Sequence, residues 1–372
     1  MANTKINSTK TSIFERNSRL TLAFLFVLIG LVTDFSVAAI FMRDQKTDDL
    51  RFRAEHHFFH HTLLPNVDCE DIWFDTVYYM TTDSLGFKGS NISEEEGRNF
   101  SKKVLLLGDS FTEGVGVSYP ETFAGLLSAR SNQVKVLNAG VVSYSPKLYF
   151  LKAKYLLEKK KFHFDELVVF LDISDLQDEI VYEKFAPSQI DPLPPSWLKR
   201  WWGKTYVFLI NNSVIWNRIH RFTVSRKPPS SEPFLAAKKF GYKDFDKFWE
   251  VRDDWTVDST TWQRWGAEGL KLAKANMEQL NSLCLQHDIK LTLVTYPWPK
   301  QIQRNEIKCP HISIWEEFAE EHGIRCINLF PDFLNQNSSI VLKEFFIPGD
   351  VHWNKKGHLL VAESLLSKNI FE

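Results

Sequence analysis

This 372-residue sequence has no excess of either charge. Its 45 lysines and arginines stand against 46 aspartates and glutamates, a formal net charge of −1 at pH 7. Nucleic-acid binding needs a basic patch or stripe. No such stripe and no base-stacking motif occurs, so no nucleic-acid partner is expected. Cysteine is also scarce. The four present (Cys69, Cys284, Cys309 and Cys326) show no C-x-x-C spacing and no histidines at zinc-finger intervals, which argues against a structural zinc. The histidine-rich stretch His56-His-Phe-Phe-His-His61 lacks a carboxylate or thiol at ligand spacing, and adjacent histidines cannot all face one ion. No metal and no other cofactor is expected. In an oxidising compartment Cys309 and Cys326 are the pair expected to bridge; buried free thiols are the alternative.

Long hydrophobic runs are missing too, with one exception. Leu20 to Phe41 is apolar apart from Asp34, and about 20 such residues cross a bilayer as a helix. Asp34 lies in the distal half of the run, where the cost of a buried carboxylate falls. Lys5, Lys10, Arg16 and Arg19 precede the run and favour a cytoplasmic N-terminus. The expectation is an uncleaved single-pass anchor in a bacterial inner membrane, with the rest of the chain in the periplasm. A cleaved signal peptide ending near Ser36-Val-Ala38 is the alternative.

What the chain does have is a repeated alternation of short apolar runs and helical patterns. Val104–Leu107, Val134–Leu137, Glu166–Leu171, Lys290–Thr295 and Ile324–Leu329 read as five buried strands. Between and after them, residues 120–130, 147–161, 263–287, 311–322 and 354–368 carry helical periodicity. Five strands with intervening helices predict a three-layer α/β/α sandwich around a parallel, flavodoxin-like sheet. Residues 185–260 interrupt the pattern with seven prolines and with Trp197, Trp201, Trp202, Trp216, Trp249 and Trp255. They read as a packed cap over the sheet edge, an aromatic platform for a sugar chain, or a lid on a membrane surface.

The chemistry centres on Ser110, which follows the first strand in Gly108-Asp-Ser110. Ligands of open α/β sheets bind at the carboxyl ends of the strands, and a serine there is a nucleophile when a base lies within reach. The candidate base is His352, with Asp350 to orient it, on a Pro/Gly-marked loop before the last helix. Gly140, after the second strand, lets a backbone N–H approach a ligand oxygen closely, and with the Ser110 N–H can form an oxyanion hole.

Together these residues resemble the SGNH/GDSL hydrolase family. Gly108-Asp109-Ser110 with Gly114 is similar to its first block, Asn138-Ala-Gly140 to its second and Asp350-Val-His352 to its last. The family fold is the one predicted above. The resemblance implies a Ser110–His352–Asp350 triad and a third oxyanion donor at the position of Ser174, where the family carries asparagine. Asp350-x-His352 is one residue shorter than the common spacing, and Asp-x-His-Trp resembles proteins that O-acetylate alginate and related exopolysaccharides. Asp109, Trp298 and Trp353 are the candidate substrate contacts.

The expected organisation is a cytoplasmic tail over 1–19, a transmembrane signal-anchor helix over 20–41, a linker and extension over 42–102, and an SGNH hydrolase-like domain over 103–372 with its aromatic insertion at 185–260. The expected function is hydrolysis or transfer of O-acyl groups on a cell-envelope or secreted polysaccharide. Its partners would be the glycan or another acyl ester, the membrane, and a membrane protein that donates acyl groups. A non-catalytic glycan-binding or assembly protein of the same fold is the alternative.

Overall fold

The computed structural model describes residues 17–41, 52–74, 76–89, 100–188, 197–226, 231–335 and 337–371. Most of the expected tail, and the prolines at 192, 194, 195, 228 and 229, lie outside them. By its internal contacts the chain divides into two compact units, Met1–Asp48 with Pro194–Pro228, and Asp49–Leu193 with Pro229–Glu372. The first contains α1 (Ser18–Phe41), a 24-residue helix long and apolar enough to cross a membrane.

The second unit opens with two antiparallel hairpins. β1 (Arg53–His56) pairs with β2 (His60–Leu63), and β3 (Asp68–Trp73) with β4 (Thr76–Thr81). The central sheet follows: β5 (Lys102–Leu107), β6 (Val134–Asn138), β7 (Glu166–Leu171), β8 (Lys290–Thr295) and β9 (Arg325–Asn328). All five are parallel, in the order β6-β5-β7-β8-β9. This is the predicted flavodoxin-like winding, whose switch point lies between β5 and β7. The strands could be read from composition because helices surround the sheet and leave no solvated face. Val104 to Leu107 have no accessible surface, and every residue of β7 is buried. Each such Leu or Val contributes about 1.5–3 kcal/mol.

The helices begin where local chemistry allows. Asp109 accepts from the Phe111 N–H at the start of α2 (Ser110–Glu113), and Thr122 from Gly125 at the start of α3 (Phe123–Arg130). α4 (Pro146–Lys154) runs on into a π-type turn, Tyr155–Lys159, and α5 is Asp175–Tyr182. The insertion supplies α6 (Trp197–Asn212) and α7 (Val214–Arg226). α8 (Ala267–Gln286) is preceded by another π-type turn, Trp262–Gly266, so the pattern read at 263–287 is not one uniform helix. α9 (Pro310–His322) and α10 (Lys355–Ser367) are the long helices that follow, the latter capped by Asn354.

The insertion is two things rather than one. Its first part, carrying Trp201, Trp202 and Trp216, belongs to the unit of α1. Its second part packs into the sheet unit: the Trp255 Nε1–H donates to the Ile173 carbonyl at 2.8 Å, and Phe248 meets Trp265 edge-on at 5.8 Å.

Candidate active site

Ser110 is the first residue of α2, at the carboxyl end of β5 and beside the switch point of the sheet. His352 and Asp350 come from the loop before α10. There Gly349, at φ 79°, permits a tight turn, closed by the Asp350 N–H donating to the Ile347 carbonyl at 3.0 Å and the Ile347 N–H to the His352 carbonyl at 2.9 Å. Phe346 and Trp353 form a β-bridge, so neighbouring side chains point to opposite sides. His352 faces Ser110, and Trp353 faces the core.

The three residues are brought into one hydrogen-bonded chain although 242 positions separate Ser110 from His352. His352 Nε2 lies 2.8 Å from Ser110 Oγ, and His352 Nδ1 lies 2.7 Å from Asp350 Oδ2. Asp350 also accepts from the Trp73 Nε1–H at 2.6 Å and from the Val351 N–H at 2.7 Å. Burial pushes the Asp350 carboxyl up, but its hydrogen bond to His352, the histidine's charge and the two further N–H donors outweigh that and hold it below its ordinary value. Ser110 and His352 are each only 8% exposed, so access to them is narrow.

A second acceptor competes for the serine proton. Asp109 Oδ2 lies 3.0 Å from Ser110 Oγ, while Asp109 Oδ1 accepts from the Phe111 N–H at 2.9 Å and the Tyr296 hydroxyl at 3.2 Å. Burial, and then the neighbouring Asp172 carboxylate, raise the Asp109 carboxyl well above its ordinary value. A carboxyl pushed toward its neutral form is a poor proton acceptor, which leaves His352 as the better partner.

Asp172, at the end of β7, organises the layer beneath. It accepts from the Tyr296 hydroxyl and the Trp298 Nε1–H, both at 2.7 Å, and from the N–H and hydroxyl of Ser174 at 2.7 and 2.6 Å. Ser174 therefore directs both of its donors at Asp172, and the expected third oxyanion donor is turned away. The Gly140 N–H likewise donates to Asn138 Oδ1, at 3.1 Å. The reason for glycine at 140 is close packing against α2: a Cβ there would lie 2.7 Å from the Thr112 side chain and 2.8 Å from the Glu113 nitrogen. The Ser110 N–H, in the first turn of α2, has no intrahelical acceptor.

The structure buries the three candidate substrate contacts. Asp109 and Trp298 are buried in the polar layer just described. Trp353 is 1% exposed and packs against Phe111 and Tyr296 at centroid distances of 4.8 and 4.9 Å. Trp353 supports the site from below, because the turn that aims His352 at Ser110 aims Trp353 into the core.

Sequence reasoning missed Trp73, which it left within the linker and extension. The indole donates to Asp350, and its ring meets His352 edge-on at 5.5 Å. Nothing local at position 73 pairs it with a residue 277 positions away. Arg53 was missed for the same reason: its guanidinium grips Glu113 of α2 through two bonds of 2.7 and 2.6 Å. The Glu113 carboxyl is buried, yet pairing with Arg53 draws it below its ordinary value. In the histidine-rich stretch, His61 Nε2 is bonded to the Val142 carbonyl at 2.7 Å, and burial lowers its pKa to about 3.

No family model matches this sequence, and no curated protein matches it. Among solved structures, it is similar to a member of the lipolytic G-D-S-L family from Veillonella parvula, with 11% identity and a TM-score of 0.39 over 73% of this chain and 99% of that one. It is similar also to a catalytic mutant of an acetylxylan esterase from Geobacillus stearothermophilus, with 15% identity and a TM-score of 0.40 over 74% and 96%. A psychrotrophic esterase from Pseudoalteromonas sp. is similar at 11% identity and a TM-score of 0.38, over 73% and 100%. The likeness is one of fold.

Proposed function

We propose that this chain is a serine-dependent ester hydrolase or O-acyltransferase. The observation that carries the reading is the bonded sequence Ser110–His352–Asp350 at the switch-point edge of the sheet, with Ser110 Oγ 2.8 Å from His352 Nε2. Ser110 Oγ attacks the ester carbonyl carbon while His352 Nε2 takes its proton. Asp350, kept anionic by His352, the Trp73 Nε1–H and the Val351 N–H around its two oxygens, stabilises the imidazolium. The Ser110 N–H faces the developing oxyanion. His352 then returns the proton to the departing alkoxide, leaving an acyl-serine. Water, or the hydroxyl of an acceptor, attacks that ester and regenerates Ser110.

The resemblance of Asp350-Val-His352-Trp353 to exopolysaccharide O-acetylation proteins, with the apolar α1, favours O-acyl groups of an extracytoplasmic polysaccharide as substrate. In this reading α1 holds the chain in a bacterial inner membrane with the sheet unit in the periplasm. A membrane acyl donor would supply the transferase form.

The test is p-nitrophenyl acetate turnover by the full-length chain in detergent, beside Ser110→Ala and His352→Ala. Loss of at least about 10³-fold in both variants is expected. Equal rates in all three would overturn the triad. They would favour a second reading, a non-catalytic glycan-binding protein, which draws its support from the Gly140 and Ser174 donors being satisfied internally.

A further inference from the structure

Between Leu20 and Phe41 the span carries one charged residue, Asp34, and this is where the rest of its unit touches it. The apolar window of α1 is almost wholly exposed, with 6% of it buried. Asp34 and Ala38, one turn apart, are its buried positions, and Asp34 is 9% exposed. Asp34 Oδ1 accepts the Ile215 N–H, in the first turn of α7, at 3.0 Å. Ser213 Oγ accepts the Trp216 N–H at 3.1 Å, so two of the N–H groups that a helix start leaves unpaired are satisfied here. Phe35 and Phe208 lie 6.1 Å apart, and the Asn217 side-chain amide ties α7 back to the Ile210 carbonyl of α6 at 3.0 Å.

This contact sets a depth. Asp34 precedes the end of α1 at Phe41 by seven residues, or roughly 10 Å at a rise of 1.5 Å per residue. If α1 crosses the hydrocarbon core, the turn joining α6 to α7 is held below the membrane surface rather than above it. The composition of the hairpin fits that position. Thr205 to Asn217 contains no charged residue. The flanking legs carry Lys199, Arg200, Lys204, Arg218, Arg221 and Arg226, and residues 197–226 include no aspartate or glutamate. Trp201, Trp202, Phe208, Ile215, Trp216 and Ile219 are between 41% and 57% exposed. An apolar tip, tryptophans and a purely cationic base are what an anionic leaflet accommodates: the tip among acyl chains, the indoles at the interface, the cations on phosphate. A soluble protein partner would have to reach the same face past lipid.

We propose that α6–α7 is a lipid-embedded hairpin, seated in the leaflet at the C-terminal end of α1 and latched there by Asp34. The inference rests on the reading of α1 as a membrane span. A carboxylate within a span is costly, by about 2.5–3.5 kcal/mol at its centre on insertion scales. Here the carboxylate accepts the Ile215 N–H at the positive dipole end of α7, which gives Asp34 a role rather than a penalty.

The experiment uses the full-length chain in vesicles of phosphatidylcholine and phosphatidylglycerol, photolabelled from a diazirine on the lipid acyl chain and mapped by mass spectrometry. Label is expected in 205–217 as well as in 20–41. Label in 20–41 alone would overturn the hairpin's insertion while leaving the anchor, and label in neither would remove the anchor itself. The double substitution of Phe208→Glu and Trp216→Glu should abolish label in 205–217 and spare 20–41; unchanged label would count against insertion. For the latch, exchange of the Ile215 amide should be about tenfold faster in Asp34→Leu and near wild type in Asp34→Asn, which keeps an acceptor oxygen. Equal exchange in all three chains would overturn the latch.

Discussion

Asp350 is an acid whose two oxygens are occupied by His352, Trp73 and the Val351 N–H. In the proposed triad Trp73 is a positioning residue, acting through its hydrogen bond to Asp350. Trp73→Phe keeps an aromatic ring against His352 and removes the N–H, so kcat/KM is expected to fall about tenfold, the worth of one charge-assisted hydrogen bond. The acid limb of the pH–rate profile should move to higher pH as Asp350 loses a donor. A lower rate with an unmoved profile would mean that Trp73 only packs. His358 is a different kind of histidine. It lies stacked on Phe123, accepts the Phe123 N–H at 3.2 Å, and burial lowers its pKa to about 3. Between its ordinary value near 6.5 and that one, the unfolded chain binds a proton that the folded chain does not. Its contribution to stability is therefore complete above about pH 6.5 and declines as pH falls, by about 1.4 kcal/mol per unit. His358→Gln should be less stable than wild type at pH 7, and the gap should narrow by up to ~2 kcal/mol at pH 5. Denaturant unfolding at the two pH values measures this; a constant gap would refute it.

At the scale of elements, β1 and α2 are joined by one ion pair behind Ser110. Glu113 has no accessible surface, and its carboxylate is held by Arg53 and by the Val142 N–H at 3.0 Å. Arg53→Met leaves that charge buried without its cation and is expected to cost about 3–5 kcal/mol in denaturant unfolding. Adding Glu113→Gln should return much of the loss, because the neutral amide needs no counter-charge; no recovery would mean that Arg53 matters through packing. The same elements show what could be read in advance. β5 and β7 were visible because a strand covered on both faces is apolar throughout. The β1–β2 and β3–β4 hairpins were not, since their four- to six-residue strands mix histidine, acids and aromatics without a clean period. The two π-type turns were likewise hidden, because an inserted residue shifts a helical face without changing its composition.

At the scale of the whole molecule, Cys284, Cys309 and Cys326 are free thiols: Cys284 and Cys309 are buried, and burial pushes all three up to about 12. Thiols so raised carry almost no nucleophilic thiolate at neutral pH. Alkylation of the denatured chain without reductant should add four groups by mass; two would indicate a bridge, with Cys309–Cys326 the first pair to examine.

The sequence by itself determined the five-strand winding, the apolar run of α1 and the placing of Gly108-Asp-Ser110 and Asp350-Val-His352 on turns after a strand and before a helix, because each is written in a contiguous pattern of hydrophobicity or turn chemistry. Only the tertiary structure decided which donors remain for an oxyanion, that Ser174 serves Asp172, that Trp353 belongs to the core, that Trp73 holds Asp350, and that Asp34 caps another helix. The physical reason is common to all five. Each depends on which direction a side chain or amide faces and on a partner brought near by folding, and a one-dimensional pattern records neither.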